Sequence, residues 1–99
     1  MGFTTDMLNL AREKKVVFRE DKSGEAPGTA VALLQDENDA KRLALLIEAH
    51  HLDGTQATTV KAVDGSSVPA VRVSAKWLPA LKNLGIEVRE GGAPLPRKA

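Results

Sequence analysis

Thr29-Ala30-Val31-Ala32-Leu33-Leu34 is the stretch on which the reading of this fold turns. Five consecutive apolar residues, bounded by Gly28 and Gln35, read as a strand covered on both faces. The run stops at Asp36-Glu37-Asn38-Asp39. Asp36 can cap a helix, and the acids after it suit the positive end of a helix dipole. Ala40, Leu43, Ala44, Leu46, Ile47 and His50 then recur at helical spacing on one broad face. Gly54 suits the left-handed position after such a helix, so residues 37–52 are expected to be helical.

Downstream, Thr58–Val63 and Val68–Val73 are rich in β-branched residues, with Asp64-Gly65-Ser66-Ser67 between them. Asp-Gly between two strand-like runs signals a hairpin. Pro69 cannot donate to a ladder and is expected to face outwards or to start its strand. Trp77, Leu78, Leu81 and Leu84 form a second helical stripe. Pro79 restricts that helix to starting nearby, after a tighter turn from Ser74, and Gly85 closes it. Ile86 and Val88 alternate with Glu87 and Arg89 as a half-buried strand.

Upstream, Thr4 or Thr5 can cap a short helix, with Phe3 and Leu8 as a hydrophobic staple. Val16-Val17-Phe18 follows as a short strand, and 21–28 reads as a charged, glycine-containing loop. A single α+β domain over 1–90 is therefore expected: 1–28 as an appended helix, strand and loop pairing at the sheet edge, and 29–90 as the core. Residues 91–99, with two Gly, two Pro, Arg97 and Lys98, read as a disordered basic tail.

The element order of 29–90 is strand, helix, strand, strand, helix, strand. It resembles the ferredoxin-like βαββαβ arrangement, which implies a sheet with two helices on one face. A different strand order in a two-layer α+β sheet is the alternative. That fold hosts many functions and by itself selects none.

The 99 residues include no Cys, which excludes disulfides and thiolate-bound zinc. No apolar run is longer than Ala30–Leu34, so no membrane-spanning helix is expected. Met1–Leu10 contains Asp6 and lacks the pattern of a secretory signal, and a cytoplasmic location is expected. His50-His51 with Asp53 is the cluster closest to metal chemistry, but adjacent helical residues point about 100° apart. No cofactor or metal is therefore expected, and His50 is read as closing the apolar helix face. Ser66 and Ser67 read as turn formers, Trp77 as core. Val31, Leu33, Val71 and Val73, with no Tyr in the chain, leave the central strands without stacking aromatics. Nothing here points to an enzyme.

The net charge of +1 conceals a division. Residues 25–54 carry two bases against six acids, and residues 55–99 carry seven bases against three acids. The leading expectation is a non-catalytic protein-interaction or regulatory module, of the kind a phage or mobile element uses to modulate a larger protein. A homodimer is the expected form. Met7 and Leu8, with Asp36, Glu37 and Asp39, are its candidate protein contacts. The alternative is a nucleic-acid-associated protein that holds a phosphate backbone through Arg72, Lys76, Lys82, Arg89, Arg97 and Lys98.

Overall fold

In the computed structural model, which describes residues 2–20, 28–62 and 64–89, the TAVAL segment is the middle strand of five. The elements are α1 (Gly2–Glu13), β1 (Val17–Glu20), β2 (Thr29–Leu33), α2 (Glu37–Glu48), β3 (Gln56–Lys61), β4 (Ser67–Ser74), a 3-10 turn (Ala75–Trp77), α3 (Leu78–Leu84) and β5 (Glu87–Arg89). The sheet runs β3-β4-β2-β1-β5. Every neighbouring pair is antiparallel except β1 and β5, which are parallel.

This is an α+β fold with a mixed sheet, and its order corrects the ferredoxin-like expectation. The part β3-β4-β2 is the order that arrangement requires, but β1 is not appended at an edge. It is inserted between β2 and β5. Side-chain content explains the exchange. β1 contributes Phe18, one of the largest fully buried side chains. β5 is only three residues long and bears Glu87 and Arg89, which suits a sheet edge.

Alternation divides the sheet into two faces. Phe18, Ala30, Ala32, Val71 and Val73 share one cluster with Met7, Leu10 and Ala11 of α1, Ala40, Leu43, Ala44 and Ile47 of α2, and Leu81 of α3. All three helices therefore cover the same face. The expectation of cover on both faces of β2 holds on the helix side; on the other face only Val31 is buried, and Thr29 and Leu33 are half-buried. Val31 points to the helix-free face, yet is 4% exposed. Its register neighbours there are Arg19 and Arg72, both half-buried.

Two units of helix, left-handed residue and strand lie side by side. α1 ends with Lys15 at φ 54 and Val16 N donating to Ala11 O at 2.8 Å. α3 ends with Gly85 at φ 105 and Ile86 N donating to Leu81 O at 3.0 Å. Both are Schellman endings, each followed by a buried residue, Val16 or Ile86. The strands then start in matching register, Val17 beside Glu87 and Arg19 beside Arg89.

Local differences from the sequence reading have local causes. α1 begins at Gly2, so Thr4 and Thr5 lie inside the helix rather than capping it. The Phe3 side chain and the tail 91–99 lie outside the described residues. α2 stops at Glu48, and His51, at φ 64, takes the left-handed position expected of Gly54. Pro69 lies inside β4, an internal strand, but beside the point where β2 has ended. Its carbonyl accepts from Leu34 N at 2.9 Å, and its missing N–H costs only a terminal bond. The 3-10 turn before α3 and the Asp64-Gly65 turn, with Gly65 at φ 87, follow the expectation.

Lys15 and Gly85 occupy equivalent left-handed positions, so opposite substitutions have opposite signs. Gly85→Ala forces a Cβ into that conformation, 3.2 Å from a Leu8 methyl, and is expected to cost about 1–2 kcal/mol. Lys15→Gly is expected to gain up to about 1 kcal/mol by the same argument. Urea unfolding of both variants measures the pair.

Candidate functional site

The helix-free face is built by register. Arg19 pairs with Val31 and with Arg89, Val31 pairs with Arg72, and Arg72 pairs with Gln56. One row across all five strands therefore reads Gln56, Arg72, Val31, Arg19, Arg89. The next row carries Thr58, Ala70, Leu33, Val17 and Glu87 by the same pairings. Three guanidiniums face one carboxylate over a partly apolar floor.

Their surroundings differ. Arg72 is half-buried, and its Nη1 donates to Thr29 Oγ1 at 2.9 Å on the same face. Arg89 Nε donates to Glu87 Oε2 at 2.6 Å, and both are exposed. Arg19 is half-buried and makes no hydrogen bond or ion pair among the described residues. A guanidinium with five donors and a fixed planar fork suits a carboxylate or phosphate. Where α1, β1 and β5 meet, a cleft of about 500 Å³ adjoins the row, and Arg12, Lys15, Val17, Glu87 and Arg89 contribute to its lining.

The expected basic set is split. Arg72 and Arg89 belong to the row. Lys76 and Lys82 lie in the 3-10 turn and α3, in the helix layer. Lys76 Nζ stands 4.8 Å from the centroid of the Trp77 ring. Arg97 and Lys98 lie outside the described residues. The sequence reading passed over Arg19, although Phe18-Arg19 alternation marks it as outward-facing. Only the inward placement of β1 brings it beside Arg72 and Arg89.

The expected protein contacts are corrected at one residue. Met7 is 0% exposed and belongs to the core, because α1 turns this side towards α2 and the sheet. Leu8 is half-buried against the same core and against Gly85. The acids sit at the start of α2, each with a partner within the chain: Asp36 accepts from Asn38 N at 2.7 Å as the helix cap, Glu37 lies 3.5 Å from Lys41, and Asp39 lies 3.3 Å from Lys14.

His50 joins two helices. Its Nδ1 bonds Leu46 O at 2.9 Å, and a carbonyl only accepts, so Nδ1 carries a proton. In the neutral ring, Nε2 accepts from the Thr4 hydroxyl at 2.9 Å. Trp77 is half-buried against the core, and its Nε1 donates to Asp53 O at 2.9 Å. Among the described residues there is no group of three His, Cys, Asp or Glu placed to hold a metal. Nor is any buried side-chain polar atom there left without a partner. No described helix is long and apolar enough to cross a membrane.

Comparison with protein-family models, curated proteins and solved structures finds no match to this chain.

Met7→Asp places a carboxylate in the core and is expected to cost at least about 3 kcal/mol. Circular dichroism and urea unfolding should show a largely unfolded chain, in place of the folded, binding-deficient one that an exposed Met7 would give.

Proposed function

We propose that this protein is a non-catalytic interaction module whose helix-free sheet face holds an acidic segment of a partner protein. The observation that carries the reading is the row Arg72, Val31, Arg19, Arg89. Guanidiniums supply charge-assisted, geometrically selective bonds to carboxylates, and Val17 and Leu33 supply apolar contact beside them. The sheet fixes the spacing of the arginine Cα atoms, so the backbone of the site is in place before a ligand docks.

A phosphate backbone is the second reading, and the same three arginines favour it. Among the described residues the face carries no aromatic side chain, so such binding would follow charge and not base stacking. Action on a larger protein, and an origin in a phage or mobile element, remain part of the proposal and rest on small size and charge.

The test uses a glutamate-rich peptide with interspersed leucines, poly-glutamate, and a single-stranded oligonucleotide, each titrated at about 50 mM salt and above. The expected outcome is preferential binding of the mixed peptide, weakened about tenfold or more by Arg19→Gln and further by Arg19→Glu. Lys82→Gln, in the helix layer, should leave it unchanged. Equal loss from the Lys82 and Arg19 variants, or no peptide binding, overturns the acidic-partner reading. Oligonucleotide binding that outranks the peptide and falls steeply with salt replaces it with the second.

A further inference from the structure

The arginine row and the cleft beside it form a basic surface interrupted at one point. Arg72, Arg19 and Arg89 stand in the row, and Arg12 and Lys15 line the cleft where α1, β1 and β5 meet. Among the described residues of both sheet rows and the cleft, the one carboxylate is Glu87. Register places it beside Val17, two residues along the strands from the Arg19–Arg89 pair, and it also lines the cleft. Lys15 lies two residues from Val17 in the other direction. Glu87 therefore stands between the row and the cations of the cleft.

Its position makes the arginines unequal. Arg89 Nε already donates to Glu87 Oε2 at 2.6 Å. An incoming anion takes Arg89 only by displacing that carboxylate, so one charge-assisted bond is exchanged for another and little is gained. Arg19 makes no such bond among the described residues, so a ligand carboxylate placed there gains its full interaction. Glu87 is also a diagonal neighbour of Arg19 on the adjacent strand, about 8 Å away between Cα atoms. That is within the screening length at about 0.1 M salt, so a second anion brought beside the first meets its charge. The Glu87 and Arg89 side chains are 52% and 59% exposed, so their bond adds little to stability. Its effect falls on what the face accepts.

Two classes of acidic ligand are separated by this arrangement. A segment that sets one carboxylate on Arg19 and apolar side chains on Val17 and Leu33 leaves the Glu87–Arg89 bond intact. A polyanion carries a charge at every unit, so in any register a charge faces Glu87 or has to displace it. Discrimination by a repulsive group is a recognised route to specificity.

We infer that Glu87 is a specificity-determining residue of the arginine face: by occupying Arg89 and interrupting the basic surface, it turns away polyanions and favours segments whose carboxylates are separated by apolar residues. The inference rests on the proposed function and deepens it, naming the kind of acidic segment and a residue that reading does not use.

The test titrates the mixed glutamate–leucine peptide, poly-glutamate and the single-stranded oligonucleotide against Glu87→Gln at about 50 mM salt and above. Affinity for poly-glutamate and the oligonucleotide is expected to rise about tenfold, and for the mixed peptide by less than about threefold, at an unchanged circular dichroism spectrum. For the oligonucleotide, the slope of log affinity against log salt should steepen by about 0.7, one more phosphate neutralised. In an Arg89→Gln background the same substitution should raise polyanion affinity by less than about threefold, because the guanidinium it would free is absent. Glu20→Gln removes an equal charge from the opposite side of β1, where Glu20 pairs with the helix-facing Ala30, and should also change it by less than about threefold. Equal gains for all three ligands, an equal gain from Glu20→Gln, or no gain in polyanion binding overturns the inference. Peptide binding that depends on Arg19 while polyanion binding ignores Glu87 leaves the proposed function standing and removes this inference alone. Oligonucleotide binding that outranks the peptide in the unmodified chain removes the acidic-partner reading, and the salt slope of Glu87→Gln still decides the role of Glu87.

Discussion

Small side chains at Ala30 and Ala32 are the constraint on which the remaining packing depends. Both face the helices from the middle strand, and both are fully buried. Their size leaves volume above the centre of the sheet, and that volume is filled from several directions. Phe18 enters from β1 at register beside Ala32, Leu43 and Ile47 descend from α2, and Val71 and Val73 close the β4 side. Larger residues at 30 and 32 would lift α2 away from the sheet and displace Phe18, because interiors at close-packed density have no slack to absorb extra methylenes.

The same packing explains why two arginines on different strands share a row. α1 and α3 each end in a left-handed residue and then bury the next one, Val16 or Ile86. Burying both anchors side by side sets β1 and β5 parallel with Val17 level with Glu87. Arg19 and Arg89 are then level by necessity, each three residues beyond its anchor. Arg72 joins them through Val31, whose small apolar side chain keeps the row continuous across β2. The arginine face is thus a consequence of how two helix ends are anchored, in segments 70 residues apart.

Much of the framework was legible because its signals are local. The apolar run of β2, the acidic cap and periodicity of α2, the Asp64-Gly65 turn and the Pro79–Gly85 helix each depend on residues within a few positions. The misreadings arose where local signals are degenerate. Thr4 and Thr5 are good caps in isolation, yet α1 continues through them, and Thr4 instead bonds His50 on α2. Met7 on a marginal amphipathic helix fits a partner's surface as well as its own core, and only packing distinguishes the two. The division of charge between segments was real, but Lys76 and Lys82 lie in the helix layer while Arg72 and Arg89 lie on the sheet face.

The sequence by itself determined the helices, the hairpin, the buried character of TAVALL and the absence of thiol chemistry, because propensity, capping and side-chain alternation act over short spans. Tertiary structure decided that β1 lies inside the sheet, that Arg19 stands with Arg72 and Arg89, and that β3 is left as an edge. Those outcomes depend on which strands become neighbours. Strand order is set by long-range competition for buried volume, in which Phe18 outweighs the short charged β5, and no spacing within either segment records the result.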